Sequence, residues 1–117
     1  MGHVNLAKMI FPEGTRGSAL DTLARGPLWE VGLQFTHGTG HGVGCWLNVH
    51  EGPHGLSISP SNKGTDLSYK AGYCVTDEPG FYQDGEFGIR IENTLYVVKA
   101  NPKYLFNKNS KFYKVRF

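Results

Sequence analysis

The stretch HGTGHGVG, residues 37–44, sets the local fold because it combines two histidines with four glycines. On a helix, the spacing of His37 and His41 would place both imidazoles on one face, as in zinc-binding helices. Four glycines within seven residues oppose a helix, since each glycine costs about 1 kcal/mol relative to alanine. Val43 also stands where the dinucleotide-binding motif G-x-G-x-x-G requires its last glycine. We therefore predict a loop or a bulged strand whose backbone closely approaches another part of the molecule.

The composition of the 117 residues is typical of a globular protein, with 39% hydrophobic and 13% aromatic residues. A net charge of +2, without a basic stripe of interleaved aromatics, does not indicate nucleic-acid binding. No apolar run reaches the ~18 residues that a membrane-spanning helix requires, so no membrane partner is predicted. Cys45 and Cys74 lack the spacing of a disulfide framework or of a C-x-x-C metal site, which favours reduced cysteines in a cytoplasmic protein.

The region before the glycine-rich stretch is predicted to be mainly helical. Residues 1–10 resemble the end of a helix, and residues 11–15 form a turn with proline and glycine as breakers. Apolar residues then recur near the helical period and predict a helix over 18–32. Ser18 is the predicted N-cap of this helix, and Pro27 is expected to kink or break it.

The region after residue 35 is predicted to be an antiparallel sheet, which gives an α+β fold with a helix followed by a meander. Apolar and polar residues alternate over Val43–Val49, which predicts a strand. A loop is predicted over 51–68. The other predicted strands are 72–76, then 81–83 and 87–93 around the hairpin turn at Asp84-Gly85, then 94–98 as a continuation of the same strand, and 112–117.

Ionisable side chains cluster in three predicted strand regions. These regions contain the histidines of the opening stretch, Glu78 in TDEPG, and Arg90 and Glu92 in GIRIEN. Alternation places Arg90 and Glu92 on one face of their strand and Ile89 and Ile91 on the other; if the isoleucines face the core, the charged pair faces solvent or a cleft. Two carboxylates and an imidazole on neighbouring strands form an N/O ligand set suited to Mn²⁺, Co²⁺ or Zn²⁺.

Each of these residues also has a purely structural interpretation. Glu92 beside Arg90 is compatible with an ordinary exposed strand residue. Glu78 before Pro-Gly is compatible with a turn acid, and His41 with a hydrogen-bonded histidine in a glycine loop. Spacing alone leaves a metal site as the minority interpretation, and the agreement of the residue types raises its weight.

Four motifs together resemble one known family. HGTGHGVG, NVHEGP, VTDEPGFY and FGIRIEN resemble, in order and approximate separation, those of aminopeptidase P, the Xaa-Pro aminopeptidases of the creatinase and methionine aminopeptidase superfamily. The resemblance extends from FPEGTRGSALDTLAR to NPKYLFN. It implies that residues 1–117 form one partial metallopeptidase domain, the C-terminal half of a pita-bread fold.

The resemblance also implies a metal centre. Members of the family hold two divalent ions, usually manganese, with two aspartates, one histidine and two glutamates; Zn²⁺ and Co²⁺ are alternatives. The histidine corresponds to His41, and the glutamates correspond to Glu78 and Glu92, of which Glu92 would bridge both ions. The aspartates would lie upstream of residue 1, so the chain alone is expected to be inactive.

Further residues receive roles around the substrate by the same resemblance. His37 and His50 correspond to histidines that line the substrate pocket and assist at the scissile bond, and Tyr82 to a tyrosine near the site. Glu78 would accept a proton from water during catalysis. Arg90 would orient an acidic ligand.

The implied function is hydrolysis of the bond between an N-terminal residue and a following proline. Its substrates would be peptides with proline at the second position. Because half of the fold would be absent, the chain is expected to expose apolar surface and to pair with itself or with a complementary half-domain. The alternative is a non-catalytic pita-bread module that binds a peptide or protein, and creatinase-like chemistry is disfavoured by the metal ligands.

Overall fold

The computed structural model describes residues 1–59 and 66–117 and has the predicted α+β fold. Two short helical segments precede most of the sheet in the chain. The helices are α1 (Gly2–Ala7) and α2 (Gly17–Trp29), and the strands are β1 (Ile10–Pro12), β2 (Gly40–Val43), β3 (Gly55–Leu56), β4 (Cys74–Asp77), β5 (Gly80–Gln83), β6 (Phe87–Arg90), β7 (Asn93–Ala100) and β8 (Phe112–Arg116).

Six strands form one antiparallel sheet in the order β1-β8-β7-β4-β2-β3, and β5 and β6 form a separate two-stranded sheet. The predicted helix followed by antiparallel strands is present, with one departure: β1 precedes α2 and pairs with the last strand, β8. The turn predicted over 11–15 therefore starts too early: Phe11 is 2% exposed and belongs to β1. The loop predicted over 51–68 contains the short strand β3, and residues 60–65 within it lie outside the described residues.

The core lies between the two helices and one face of the six-stranded sheet. Along β7, Leu95 and Val97 are fully buried while Tyr96 is 48% exposed, so only one face of this strand is covered. The hydroxyl of Tyr69 donates to the carbonyl of Gly55 over 3.0 Å, and burial raises the pKa of this tyrosine. The core residues are Leu6, Phe11, Leu20, Leu56, Tyr69, Val75, Leu95, Val97, Tyr113 and Val115.

The helix predicted over 18–32 is present as α2, with different ends. The N-cap is Arg16, not Ser18. Ser18 instead donates its backbone N–H and its hydroxyl to the carboxylate of Asp66, over 3.1 and 3.0 Å. Pro27 lies inside the last turn, and the helix ends soon after it. A proline is tolerated there because it removes only one backbone hydrogen bond, close to the end of the helix.

The prediction of a strand over 43–49 is wrong, because β2 ends at Val43 and the chain turns after it. Trp46, Leu47 and Val49 are 81%, 94% and 78% exposed, so the alternation marks no buried face. Backbone amides of this segment bind a side chain instead of a neighbouring strand: the N–H of Trp46 is shared by both oxygens of Glu51 at 2.9 and 3.0 Å, and the N–H of Asn48 donates to one of them over 3.3 Å.

The continuous strand predicted over 87–93 and 94–98 is interrupted at Ile91 and Glu92. The segment before the break, β6, pairs with β5, and the segment after it, β7, joins the large sheet. Ile89 and Ile91 are 53% and 57% exposed, so the isoleucines do not face the core of this chain. The break leaves Glu92 at the junction of the two sheets.

The glycines of the opening stretch let separate backbone segments meet. A Cβ atom at Gly40 would lie 1.8 Å from the carbonyl oxygen of Thr76, and one at Gly42 would lie 2.2 Å from that of Glu51. Real side chains do not fit at such distances, so the predicted close backbone approach is confirmed. The contrasting position is Gly38, where a Cβ would make an ordinary contact at 3.5 Å with the carbonyl of Leu56.

We predict that Gly40→Ala destabilises the protein by about 3 kcal/mol, because its methyl group must push β2 away from β4. Gly38→Ala is the matched control, and its free energy of unfolding should change by less than about 0.5 kcal/mol. Urea denaturation followed by tryptophan fluorescence measures both values. Equal stability of the two variants would contradict the close contact at Gly40.

Candidate metal centre

Three side chains of metal-ligand type meet at one end of β4. His41 lies on β2, Glu78 directly follows β4, and Glu92 immediately precedes β7. Pairing of β4 with β2 on one side and with β7 on the other brings these residues together. One ligand atom from each residue lies within 4.8 Å of the others, and within the described residues no other group of histidine, cysteine and acidic side chains converges in this way.

The hydrogen bonding of His41 leaves one ring nitrogen for a ligand. Its Nδ1 lies 2.9 Å from the carbonyl oxygen of Gly42, which can only accept, so Nδ1 carries the proton and donates. The lone pair of Nε2 is therefore directed toward the acidic side chains of the cluster, with Nε2 3.4 Å from Oε1 of Glu78. Metal-binding histidines typically donate their second ring N–H to a carbonyl in this way. Since ligands of one ion, at about 2.1 Å each, lie at most about 4.2 Å apart, only a small shift would let all three residues fit a divalent metal.

Both oxygens of the Glu78 carboxylate contact neighbouring side chains that fix its orientation. Oε1 accepts a hydrogen bond from the Thr76 hydroxyl over 2.8 Å, and Arg90 approaches Oε2 at 3.4 Å. The oxygen of Thr76 also accepts the backbone N–H of His41 over 2.9 Å. Thr76 thus connects two of the candidate ligands, and sequence reasoning missed it. Its signal was the T-x-E spacing, which places Thr76 and Glu78 on the same side of an extended chain.

Arg90, Tyr82 and His37 form a hydrogen-bonded series beside this cluster. Nε of Arg90 donates to the Tyr82 hydroxyl over 2.8 Å, and this hydrogen bond raises the pKa of Arg90. The Tyr82 hydroxyl then donates to Nε2 of His37 over 2.7 Å, because Nδ1 of His37 donates to the Gly38 carbonyl over 2.7 Å. The series fixes the tautomer of His37 and occupies both of its ring nitrogens.

His50 lies against the candidate ligand His41. The two ring centroids are 4.5 Å apart and the rings are nearly perpendicular, at 74°. His50 is exposed to solvent and sits at the end of the loop formed by residues 44–50, which we call the 44–50 loop. The structure therefore brings His37, His41 and His50 to the same region, with Nε2 of His41 directed at the carboxylates.

A buried ion pair positions the start of the glycine-rich stretch, and sequence reasoning missed it. Asp21 and Arg25 are 0% and 3% exposed, four residues apart on α2, and are joined by a salt bridge. Arg25 also donates to the carbonyls of Phe35 and His37, over 2.6 and 2.7 Å, and stacks on the Phe35 ring at 4.0 Å. The i, i+4 spacing of opposite charges on a predicted helix was the available signal.

A second buried carboxylate lies next to Glu78. Asp77 is fully buried, and its oxygens accept no hydrogen bond from the described residues. Burial raises the pKa of Asp77 to about 7. Its nearest partner is His3 of α1, whose Nε2 lies 3.9 Å away. By strand alternation Asp77 shares the face of β4 that carries the core residue Val75, and it is not one of the three clustered ligands.

Comparison with known proteins identifies relatives of this chain. The model of metallopeptidase family M24 matches residues 2–99. Aminopeptidase P1 of Lotus japonicus is 53% identical over 105 residues, which cover 90% of this chain and 15% of that protein. The chain therefore spans a small part of the length of the curated relatives that it matches.

Solved structures of similar proteins have the same fold. The X-prolyl aminopeptidase of Caenorhabditis elegans, described as a cytosolic enzyme with a di-nuclear active site, is 47% identical with a TM-score of 0.83, over 98% of this chain and 18% of that chain. A dipeptidase of Pyrococcus horikoshii is 34% identical with a TM-score of 0.65, over 81% of this chain and 25% of its own. No helix in the described part of the chain has the length and apolar character needed to cross a membrane. The resemblance to aminopeptidase P and the predicted half of a pita-bread fold are confirmed, and the chain belongs to metallopeptidase family M24.

Proposed function

We propose that this chain is part of a metal-dependent Xaa-Pro aminopeptidase and that His41, Glu78 and Glu92 are metal ligands in it. The observation that carries this proposal is the convergence of one nitrogen and two carboxylate oxygens within 4.8 Å. The fixed tautomer of His41 supports it, because the free Nε2 is directed toward Glu78. The relatives named as aminopeptidases supply the reaction class.

The proposed metal is manganese, two ions in the complete enzyme, with zinc or cobalt as alternatives. Carboxylates suit Mn²⁺, and imidazole suits Zn²⁺ and other transition metals. Three protein ligands satisfy one four-coordinate ion that keeps an open position. A second ion therefore needs ligands from outside the described residues, which agrees with aspartates contributed by another segment of the protein.

Residues of this chain then take defined parts in peptide hydrolysis. Divalent ions supply Lewis acidity, which lowers the pKa of water and polarises a carbonyl group. Glu78 accepts the proton of the attacking water, in an orientation fixed by Thr76 and Arg90, and returns it to the departing proline nitrogen as the C–N bond breaks. An N–H of His50 donates to the carbonyl oxygen as negative charge develops there, and such a donor is worth about 2.7–4 kcal/mol.

His37 and Tyr82 form one wall of the proposed substrate pocket. Both ring nitrogens of His37 are already hydrogen-bonded, one of them to Tyr82. A direct contact between His37 and substrate therefore requires the Tyr82 hydroxyl to move away, whereas contact through Tyr82 requires no rearrangement. The proposed substrates are peptides with proline at the second position, which the names of the relatives support.

An apolar surface formed by β6 and the residue that follows it supports contact with a further part of the protein or with a second copy. Phe87, Ile89 and Ile91 are 56%, 53% and 57% exposed in close succession. A cytoplasmic location is supported by two free cysteines and by the cytosolic neighbour from Caenorhabditis elegans.

Removal of a candidate ligand is expected to weaken metal binding. In calorimetric titration with Mn²⁺, Glu92→Ala and Glu78→Ala should each lower affinity about 10-fold or more, because each removes an anionic donor from the cluster. Glu86→Ala is the control, since Glu86 is an exposed acid in the hairpin turn outside the cluster. Unchanged Mn²⁺ affinity in Glu92→Ala would show that this residue is not a ligand.

The proposed specificity predicts cleavage of only one class of peptide. With Mn²⁺, the protein that contains this chain should release the first residue of Arg-Pro-Pro but not of Arg-Ala-Pro. Glu78→Gln should lower kcat at least about 100-fold, because the amide cannot accept the proton. Mass spectrometry of the products measures both effects.

Two outcomes of this assay would contradict parts of the proposal. Binding of Arg-Pro-Pro without cleavage by the whole protein would favour a non-catalytic peptide-binding module. Robust turnover by residues 1–117 alone would show that ligands from outside this chain are dispensable.

A further inference from the structure

We infer that Glu51 is a positioning residue that holds His50 against His41. This inference rests on the proposed function, in which His41 binds metal and His50 contacts the substrate. Glu51 directly follows His50 in the chain and is hydrogen-bonded to both the 44–50 loop and β2. It acts through His50 and does not itself bind the metal.

Within the described residues, side-chain packing does not hold the 44–50 loop in place. All of its residues are exposed, and its apolar side chains Trp46, Leu47 and Val49 are 81%, 94% and 78% exposed. Leu47 also adopts a left-handed backbone conformation, with φ of 63°, which is unfavourable for a residue with a branched side chain. The conformation of the loop therefore depends on hydrogen bonds.

The carboxylate of Glu51 supplies these hydrogen bonds. Its two oxygens lie 2.9 and 3.0 Å from the backbone nitrogen of Trp46, and one of them accepts the N–H of Asn48 over 3.3 Å. Hydrogen bonds to an ionised carboxylate are about twice as strong as those between neutral groups. The backbone N–H of Glu51 donates to the carbonyl of Gly42 over 3.0 Å, which ties the same residue to β2.

The glycines of β2 and its continuation leave the space that Glu51 fills. A Cβ atom at Gly44 would lie 2.1 Å from a carboxylate oxygen of Glu51, and one at Gly42 would lie 2.2 Å from its backbone carbonyl oxygen. Alanine at either position would displace Glu51. This close fit explains two glycines of the opening stretch that the metal ligands do not require.

Both ends of the loop are thereby fixed to the strand that carries His41. His50 stands directly before Glu51, so the orientation of its ring against His41, with centroids 4.5 Å apart, depends on this anchor. The carboxylate of Glu51 is directed to backbone amides and is not one of the clustered ligand atoms. Loss of the carboxylate should therefore move His50 and leave the metal ligands in place.

A spectroscopic test reads the position of His50 without any assay of activity. In the whole protein labelled with ¹⁵N and ¹³C, nuclear Overhauser contacts between the His41 and His50 rings should disappear in Glu51→Ala. The downfield amide resonance of Trp46 should shift upfield in the same variant. Trp46→Ala is the control, because it removes an exposed ring and keeps the backbone N–H. Persistence of the contact between the rings in Glu51→Ala would overturn the inference.

A double-mutant cycle separates positioning from a general structural role. Glu51→Ala should lower kcat on Arg-Pro-Pro about 10- to 100-fold with little change in KM or Mn²⁺ affinity, and Glu51→Gln, which keeps one acceptor oxygen, should recover part of the loss. When His50→Ala is already present, adding Glu51→Ala should lower kcat by less than about twofold further, because the effect of Glu51 passes through His50. Gly44→Ala should reproduce the loss, which provides a second variant if Glu51→Ala folds poorly.

The outcomes of the cycle are distinct. Additive losses from His50→Ala and Glu51→Ala, or weakened Mn²⁺ binding in Glu51→Ala, would overturn the positioning role. If the unaltered protein cleaves no Xaa-Pro peptide, the proposed function fails, and the contact between the two rings then decides the position of His50 by itself.

Discussion

The contact between β2 and β4 at Gly40 is the constraint on which the candidate site depends. With no side chain at this position, the backbone of β2 lies against the carbonyl of Thr76. The hydroxyl of Thr76 can then join the backbone of His41 to the carboxylate of Glu78. One missing Cβ therefore fixes the distance between two candidate ligands on different strands.

Charge explains why this arrangement suits a cation. Glu78 and Glu92 are brought together with a single guanidinium, that of Arg90, 3.4 Å from one oxygen of Glu78. Neighbouring carboxylates repel each other, and a divalent ion between them converts the repulsion into attraction. A metal-bound His41 would add a lone pair without adding charge, while its Nδ1–H donates to the carbonyl of Gly42.

Sequence patterns predicted the parts of this fold that local chemistry determines. The period of the apolar residues located α2, the Asp84-Gly85 turn located the hairpin, and the motifs singled out His41, Glu78 and Glu92, which lie together in the structure. The prediction for residues 43–49 is wrong because alternation does not reveal whether a strand has a partner, and here Glu51 replaces that partner. The pairing of β1 with β8 joins residues about a hundred positions apart, and no local pattern encodes it. Thr76 escaped notice because its role arises only when β2 reaches β4.

The interruption of the strand at Ile91 and Glu92 has a mechanical consequence. The hairpin of β5 and β6 joins β7 of the large sheet through Ile91 and Glu92, so one residue of this junction is also a candidate ligand. A tilt of the hairpin would move the carboxylate of Glu92 relative to the other ligand atoms. Ion binding and the angle of the hairpin are therefore thermodynamically linked. An ion bound by all three side chains would stabilise one angle of the hairpin. A neighbour that contacts the apolar face of the hairpin and favours the same angle would raise the affinity for the ion by the same free energy.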